Sequence, residues 1–175
     1  MKTLSLLILL LLSVFTTATA QESEFLITKN NDTIFGEIRR NTTFFNPTRV
    51  RFKIKDEKGD KKLKDPAEIK QIRSFNGLYG DCIIKPVFDQ WYAKRIIDGK
   101  IEVYMMLDEV IFYTSKNNSD LEFKDFGGFN SRKNAHAEIR PLIADNPEIL
   151  EEFDTLSGSQ KNILYIIEKY NDLEK

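Results

Sequence analysis

Apolar residues change their spacing near Gly127-Gly128, and this change restricts the folds open to the chain. From Glu24 to Phe126 they recur at every second position in short runs that turn residues separate, a pattern typical of antiparallel strands. Beyond the two glycines the spacing becomes about 3.6 residues, which indicates helices. We therefore expect an α+β fold, with an antiparallel β-rich N-terminal part of about eight or nine short strands, open or barrel-like, followed by two or three C-terminal helices.

Turn residues predict how several of these strands pair. Phe25 to Thr28 and Thr33 to Arg40 flank an Asn-rich turn, and Asn tolerates the left-handed backbone that tight turns require. Trp91 to Ile97 and Lys100 to Met106 flank Asp98-Gly99, which fits a type I′ turn. We expect two antiparallel hairpins from these segments. Further short strands are expected at Ile69 to Phe75, Val110 to Thr114 and Leu121 to Phe126.

Capping residues mark the helical tail. Asn146-Pro147-Glu148 combines an N-cap residue, a proline at the first helical position and an acid in the first turn. Ser157 and Gln160 have capping-box spacing ahead of a longer helix. An earlier helix is expected around Ala135 to Ile143, where Pro141 removes a hydrogen-bond donor. The apolar stripe of the longer helix consists of Ile163, Leu164, Ile166, Ile167, Tyr170 and Leu173.

Residues 1–20 are predicted to be a cleaved signal peptide. Lys2 gives a cationic start, Leu4 to Phe15 is largely apolar, and Ala18-Thr19-Ala20 supplies the small residues that precede a cut, so we expect cleavage after Ala20. Residues 21–175 should form a single α+β domain, with strands within 24–126 and a helical tail within 134–174, in the periplasm or secreted. No later apolar run approaches the roughly 20 residues that cross a bilayer, so we expect no transmembrane segment after cleavage.

The segment Thr48 to Lys55 alternates between basic and apolar residues from Arg49 onward. A strand of this kind places Val50, Phe52 and Ile54 in the core and its cations on the opposite face. The four candidate binding residues on that basic strand face are Arg49, Arg51, Lys53 and Lys55. Alternatively, these cations only solvate the strand and discourage edge pairing.

Charge is distributed unevenly along the chain. Twelve basic residues and five acids lie between Arg39 and Arg73, whereas His136 to Lys175 holds four basic and nine acidic residues. A cationic face suits an acidic envelope glycan or another envelope protein as its partner. We do not expect nucleic acid as a partner, because the chain carries an export signal and its formal net charge is only −1.

One cysteine and one histidine limit the chemistry available to the chain. Cys82 precedes Ile83-Ile84 and should be buried and inert, although a mixed disulfide with another molecule is the alternative. His136 lies in a polar segment and should be solvated, with a dyad with Cys82 as the alternative. The chain has no metal-ligand spacing and no cofactor motif, so we expect neither a metal nor a cofactor, and we assign no catalytic residue.

Two short motifs concern modification. Asp32-Thr33-Ile34 and Asp154-Thr155-Leu156 are similar to the Asp-Thr/Ser-apolar acceptor of the general protein O-glycosylation systems of Bacteroidota. This similarity implies that Thr33 and Thr155 are possible O-glycosylation sites.

Three segments together resemble a group of uncharacterised secreted and periplasmic proteins of Bacteroidota. Phe25 to Ile38 resembles their opening strand, which continues as Asn-Asp-Thr-Ile-x-Gly-x-Ile. Pro66 to Lys70 is similar to the stretch that leads their next strand, and Tyr170-Asn171 to the end of their terminal helix. The resemblance implies the location and the fold, and it brings no catalytic residue with it.

These observations favour an exported, non-enzymatic binding or structural module of the cell envelope. It would contact its partner through the basic strand face or through aromatic residues at Phe44-Phe45 and Trp91-Tyr92. The alternative is an envelope hydrolase that uses Asp or Glu carboxyl groups brought together by folding. A cleft with two carboxyl groups at catalytic separation would favour that alternative.

Overall fold

The computed structural model describes residues 23–43, 46–56, 58–75, 80–107 and 109–174, with the backbone alone at 42, 43 and 46–49. The predicted signal peptide with its cleavage after Ala20 lies outside these residues, as does the Phe44-Phe45 pair. Within them the chain has an α+β fold, in which an open antiparallel sheet of ten strands precedes three α-helices. The strands are β1 (Phe25–Thr28), β2 (Thr33–Thr43), β3 (Asn46–Asp56), β4 (Lys61–Lys64), β5 (Ile69–Ser74), β6 (Cys82–Val87), β7 (Trp91–Ile97), β8 (Ile101–Met106), β9 (Phe112–Lys116) and β10 (Glu122–Lys124).

The strands lie in the order β10-β9-β8-β7-β6-β5-β1-β2-β3-β4. The chain runs outward from β1 to the edge strand β4, returns through a 3₁₀ turn at Pro66–Glu68, and pairs β5 with the free side of β1. From there β5 to β10 run outward to the other edge. The alternation of apolar residues does not predict β4, because Lys61–Lys64 has one apolar residue and its side chains face mostly solvent.

Three α-helices follow the sheet within the described residues: α1 (Arg132–Ile139), α2 (Pro147–Thr155) and α3 (Gln160–Leu173). Pro141 ends α1 earlier than expected, and the chain continues as a 3₁₀ turn over Arg140–Ile143. The predicted cap of α2 is confirmed, since the Asn146 side chain accepts a hydrogen bond from the Ile149 backbone. The predicted cap of α3 is wrong: Ser159 caps this helix, and Ser157 instead accepts hydrogen bonds from the Asn162 side chain.

Two hydrophobic clusters occupy one face of the sheet. In the first, the helices cover the strands from β7 to β9, where Val103 and Phe112 pack with Ile166 of α3. The second cluster consists of strand residues and of Leu107, which directly follows β8, and it forms because the sheet curls. Although four strands separate β3 from β7, the ring centroids of Phe52 and Tyr92 lie only 4.8 Å apart.

The core positions predicted for β3 are confirmed. Val50, Phe52 and Ile54 are 8%, 3% and 1% exposed, and all belong to the strand cluster. In the predicted stripe of α3, Ile163, Ile166, Ile167 and Tyr170 are buried and Leu164 is half-buried, whereas Leu173 is 55% exposed.

The opposite face of the sheet, here called the outer face, carries the residues that alternate with these core positions. The strand register identifies the residues of the outer face, because directly paired residues lie on the same face of the sheet. Lys53 lies opposite Arg39, Phe25 lies opposite both Phe35 and Arg73, and Tyr104 lies opposite Tyr113. A third hydrophobic cluster, made entirely of strand and loop residues, fills the outer face between β6 and β10. The outer face is therefore the side of the sheet that the helices do not cover.

A buried side chain joins the helices to the sheet. Asn171 of α3 accepts a hydrogen bond from the Ile101 nitrogen (2.9 Å) and donates to the Ile101 (2.8 Å) and Asp98 (3.3 Å) carbonyls. The expected type I′ turn at this hairpin is wrong, because Asp98 lacks the required positive φ and Gly99 has a φ of +146°. Gly99 makes room for the docked side chain, since a Cβ there would lie 2.4 Å from the Asn171 Cγ.

Candidate functional site

The outer face of β2, β3 and β4 forms a groove of about 200 Å³. We call this feature the basic groove. Its lining consists of Glu37, Arg39, Lys53, Lys55 and Lys61.

Strand register brings these cations next to one another. Arg39 of β2 lies directly opposite Lys53 of β3, and Lys55 of β3 lies directly opposite Lys61 of β4. Side chains in such pairs have Cβ atoms about 4.5–5.5 Å apart, and like charges in that position are destabilising. The groove therefore concentrates positive charge at a cost to the stability of the sheet.

Glu37, the one acid among the described lining residues, lies directly opposite Lys55 in the strand register but forms its ion pair with Arg39. The Arg39 Nε donates to a Glu37 carboxylate oxygen at 2.7 Å. Lys53, Lys55 and Lys61 are exposed and form no ion pair with any residue that the structure describes. These three ammonium groups can therefore bind an anion without first breaking an internal contact.

Local structure explains how β2 and β3 hold the groove together. Gly36 has a φ of +153°, and a Cβ at this position would lie 2.2 Å from the Lys55 carbonyl oxygen. The glycine lets β2 pass close to the backbone that carries Lys55, as expected for a glycine where two backbones meet. Two residues further along β2, the Ile38 nitrogen donates to the buried Glu24 carboxylate at 2.7 Å. The Gly36 nitrogen also donates to the Glu24 carbonyl at 3.1 Å, so Glu24 fixes the backbone on either side of Glu37.

The four predicted binding residues do not all lie in the basic groove. Lys53 and Lys55 line the basic groove, where Arg39 and Lys61 join them. Arg51 is half-buried and does not line the groove, and the side chain of Arg49 is outside the described part of the chain. Alternation within β3 identifies two of the groove lysines, whereas Arg39 and Lys61 are brought there by pairing between strands.

The two candidate modification sites lie at the ends of elements. Thr33 is the exposed first residue of β2. Thr155 is the exposed last residue of α2, and its hydroxyl donates to the Glu152 carbonyl at 2.7 Å.

Cys82 and His136 occupy different environments. The predicted burial of Cys82 is confirmed, since it is 8% exposed, and this burial raises the pKa of its thiol. The prediction of a solvated His136 is wrong, because its ring stacks on Phe153 with centroids 4.0 Å apart and its Nε2 lies 3.0 Å from the Phe153 carbonyl oxygen. Among the described residues, no three His, Cys, Asp or Glu side chains are grouped as a metal ion would require.

The carboxyl groups with clearly shifted pKa values are all held in their charged form. Burial raises the pKa of Glu102, but hydrogen bonds from Arg95, Lys85 and Tyr104 outweigh it and lower the pKa overall. The pKa of Asp145 is likewise lowered. The remaining groups with a lowered pKa are Glu68, Glu152 and Asp154. A general acid near neutral pH needs a raised pKa, so these groups suit ion pairs.

The aromatic residues that are exposed to solvent are not the predicted Trp91-Tyr92 pair. Tyr92 is 2% exposed and Trp91 is half-buried, so this pair is not the exposed aromatic surface that was predicted. Instead, Phe35, Phe88 and Phe123 are 48%, 75% and 53% exposed.

Comparisons of the chain with protein-family models, with curated proteins and with solved structures find no match. Within the described residues, no helix has both the length and the hydrophobicity needed to cross a bilayer.

Proposed function

We propose that this protein is an exported, non-enzymatic binding module of the cell envelope, and that its basic groove holds an acidic envelope glycan. One observation carries the proposal: cations lie directly opposite cations in two cross-strand pairs, Arg39 with Lys53 and Lys55 with Lys61. An acidic polymer offers several negative charges to such a surface, and its binding removes the repulsion between the cations.

Solvation and edge protection do not explain the whole set of cations. Lysines on an edge strand discourage pairing with another chain, which accounts for Lys61 on β4. Lys53 and Lys55 lie on β3, which is paired on both sides, so they protect no edge. Uncharged polar residues would solvate β3 equally well without facing other cations.

The envelope location is supported by the predicted signal peptide and by the resemblance of the Phe25 to Ile38 segment to secreted proteins of Bacteroidota. An envelope protein with an acidic surface is the other partner that this groove fits. The hydrolase alternative has less support, because the carboxyl groups with clearly shifted pKa values are held ionised.

Calorimetric titration of the chain beginning at Gln21 with polygalacturonate tests the proposal. We expect binding that weakens as salt rises from 50 to 200 mM, because screening acts strongly on exposed charges. The double variant Lys53→Gln/Lys55→Gln should bind several-fold more weakly, since each exposed ion pair is worth about 0.2–1 kcal/mol. Its melting temperature should not fall, because the substitutions remove like-charge pairs.

The matched control is Lys133→Gln/Lys161→Gln, which removes two exposed lysines of α1 and α3. It should retain the affinity of the unmodified chain. Equal losses in the two double variants would show that only net charge matters, and the absence of binding to polygalacturonate at low salt would overturn the proposal.

A further inference from the structure

We propose that the outer face carries a second binding site, a cleft beside Phe88 that takes a short neutral saccharide. The cleft has a volume of about 500 Å³ and lies between the β6–β7 turn, the start of β5 and the loop after β9. This volume is within the range of about 300–1,000 Å³ found for small-molecule sites. The proposal does not depend on the basic groove, whose lining residues are different.

Phe88 is held in an unfavourable conformation with its ring in solvent. Phe88 and Asp89 have φ values of +52° and +51°, and the Gln90 nitrogen donates to the Val87 carbonyl at 3.2 Å, which together define a type I′ turn. Asn is favoured at the first central position of this turn, and a bulky residue there is an outlier. The ring is nevertheless 75% exposed and touches Tyr113 only edge-on, at 6.2 Å between centroids. A strained and exposed aromatic residue at the mouth of a cleft indicates a function for the ring.

The rim of the cleft offers hydrogen-bonding groups that the fold does not use. The side chains of Gln71, Asn118 and Asp120 form no hydrogen bond to any other residue in the described part of the chain. The loop is instead held by its serines, since the Ser115 hydroxyl donates to the Ser119 carbonyl at 2.6 Å and the Ser119 hydroxyl accepts from the Lys116 nitrogen at 3.2 Å. Asn118 and Asp120 are therefore presented on a loop that is already ordered, which lowers the entropic cost of binding.

The chemistry of the lining selects the class of ligand. Amides both donate and accept hydrogen bonds, and a carboxylate accepts them, which suits a ligand with several hydroxyl groups. Leu121 and Phe88 supply an apolar surface for the C–H face of such a ligand. A simple anion is disfavoured by the Asp120 carboxylate and because both lysines of the lining already have partners: Lys85 binds Glu102 at 3.2 Å and lies over the Tyr104 ring at 4.9 Å, and Lys70 donates to the Asn31 side chain at 2.7 Å. A saccharide combines hydroxyl groups with an apolar face.

The experiment follows backbone amide shifts of the chain from Gln21 by NMR while neutral di- to tetrasaccharides of N-acetylglucosamine and of galactose are added. We expect saturable shift changes confined to the cleft. Phe88→Asn should weaken binding at least tenfold without lowering the melting temperature, because Asn is the residue that the turn prefers. Gln71→Leu, which keeps the size of the side chain but removes its amide, should also weaken binding.

Phe129→Asn is the matched control, since Phe129 is 83% exposed and lies outside the cleft. It should bind as tightly as the unmodified chain, and so should Lys53→Gln/Lys55→Gln, which separates this site from the basic groove. Three results would overturn the inference: no shift changes with either saccharide series, unchanged affinity in Phe88→Asn, or self-association of the chain that Phe88→Asn abolishes.

Discussion

Single buried polar side chains hold distant parts of this protein together. Glu24 is 7% exposed, and its carboxylate accepts hydrogen bonds from the Ile38 nitrogen at 2.7 Å and from the Phe75 nitrogen at 2.9 Å, which joins β2 to the end of β5. Asn171 joins α3 to the β7–β8 hairpin. Neither role could be predicted from the sequence, because the partners of Asn171 lie 70 residues away and no local pattern records such a contact. Polarity alone would place both residues at the surface.

The substitution Asn171→Ala tests whether this single side chain anchors α3 to the sheet. It leaves the Ile101 nitrogen without its buried partner, so we expect the free energy of unfolding to fall by about 2–4 kcal/mol. Urea denaturation followed by circular dichroism measures this change. Leu173→Ala on the same helix is the control, since Leu173 is 55% exposed, and it should cost less than about 1 kcal/mol. Similar losses in both variants would contradict the anchoring role of Asn171.

At the scale of elements, the sequence predicts strands and helices where local signals are strong. Alternation predicted β3 and its buried face, and Asn146-Pro147 predicted the start of α2. β4 was missed because an edge strand with mostly exposed side chains has no apolar alternation. The basic groove is predicted only in part for a related reason. Alternation along β3 places Lys53 on the outer face, but its position opposite Arg39 depends on the register between strands.

The close approach of β2 to β3 gives a prediction for Gly36→Ala. A Cβ at Gly36 would lie 2.2 Å from the Lys55 carbonyl oxygen, so the two strands must separate locally. We expect a loss of at least about 2 kcal/mol in the free energy of unfolding and weaker polygalacturonate binding. Gly59→Ala provides the comparison, because Gly59 also has a positive φ, +84°, but has no atom within 4 Å of the added Cβ. It should lose about 1 kcal/mol from backbone strain alone and keep its binding.

At the scale of the whole molecule, a charged network joins the last helix to the sheet. Asp145 accepts hydrogen bonds from Lys116 at 2.7 Å and from the Tyr170 hydroxyl at 2.9 Å, while Lys100 binds both Asp145 at 3.3 Å and Glu174 at 2.7 Å. Burial opposes the charged form of Asp145, but these donors outweigh it and lower its pKa. The acidic tail is thus partly neutralised by Lys100, which directly precedes β8, and by Lys116 of β9 rather than by the basic groove.

This network predicts how stability depends on pH. A carboxyl group with a lowered pKa in the folded state stabilises the fold above its unfolded pKa of about 4, and this contribution is lost as pH falls toward the folded pKa. The free energy of unfolding should therefore decrease as the pH falls below about 4. Asp145→Asn should be less stable at pH 7 and show a shallower decrease in acid. Chemical denaturation from pH 7 to pH 2 measures both effects, with the exposed Glu109→Gln as a control that should follow the unmodified chain.

The position of β1 has a mechanical consequence. In the described sheet, the first strand of the fold joins two halves, because β1 is the strand that pairs both with β2 of the β2–β4 half and with β5 of the β5–β10 half. A force applied at the N-terminus of the described fold would act on the middle of the sheet and would have to break contacts with two neighbouring strands at once. Removal of Phe25–Thr28 by a protease would divide one sheet of ten strands into two separate sheets of three and six.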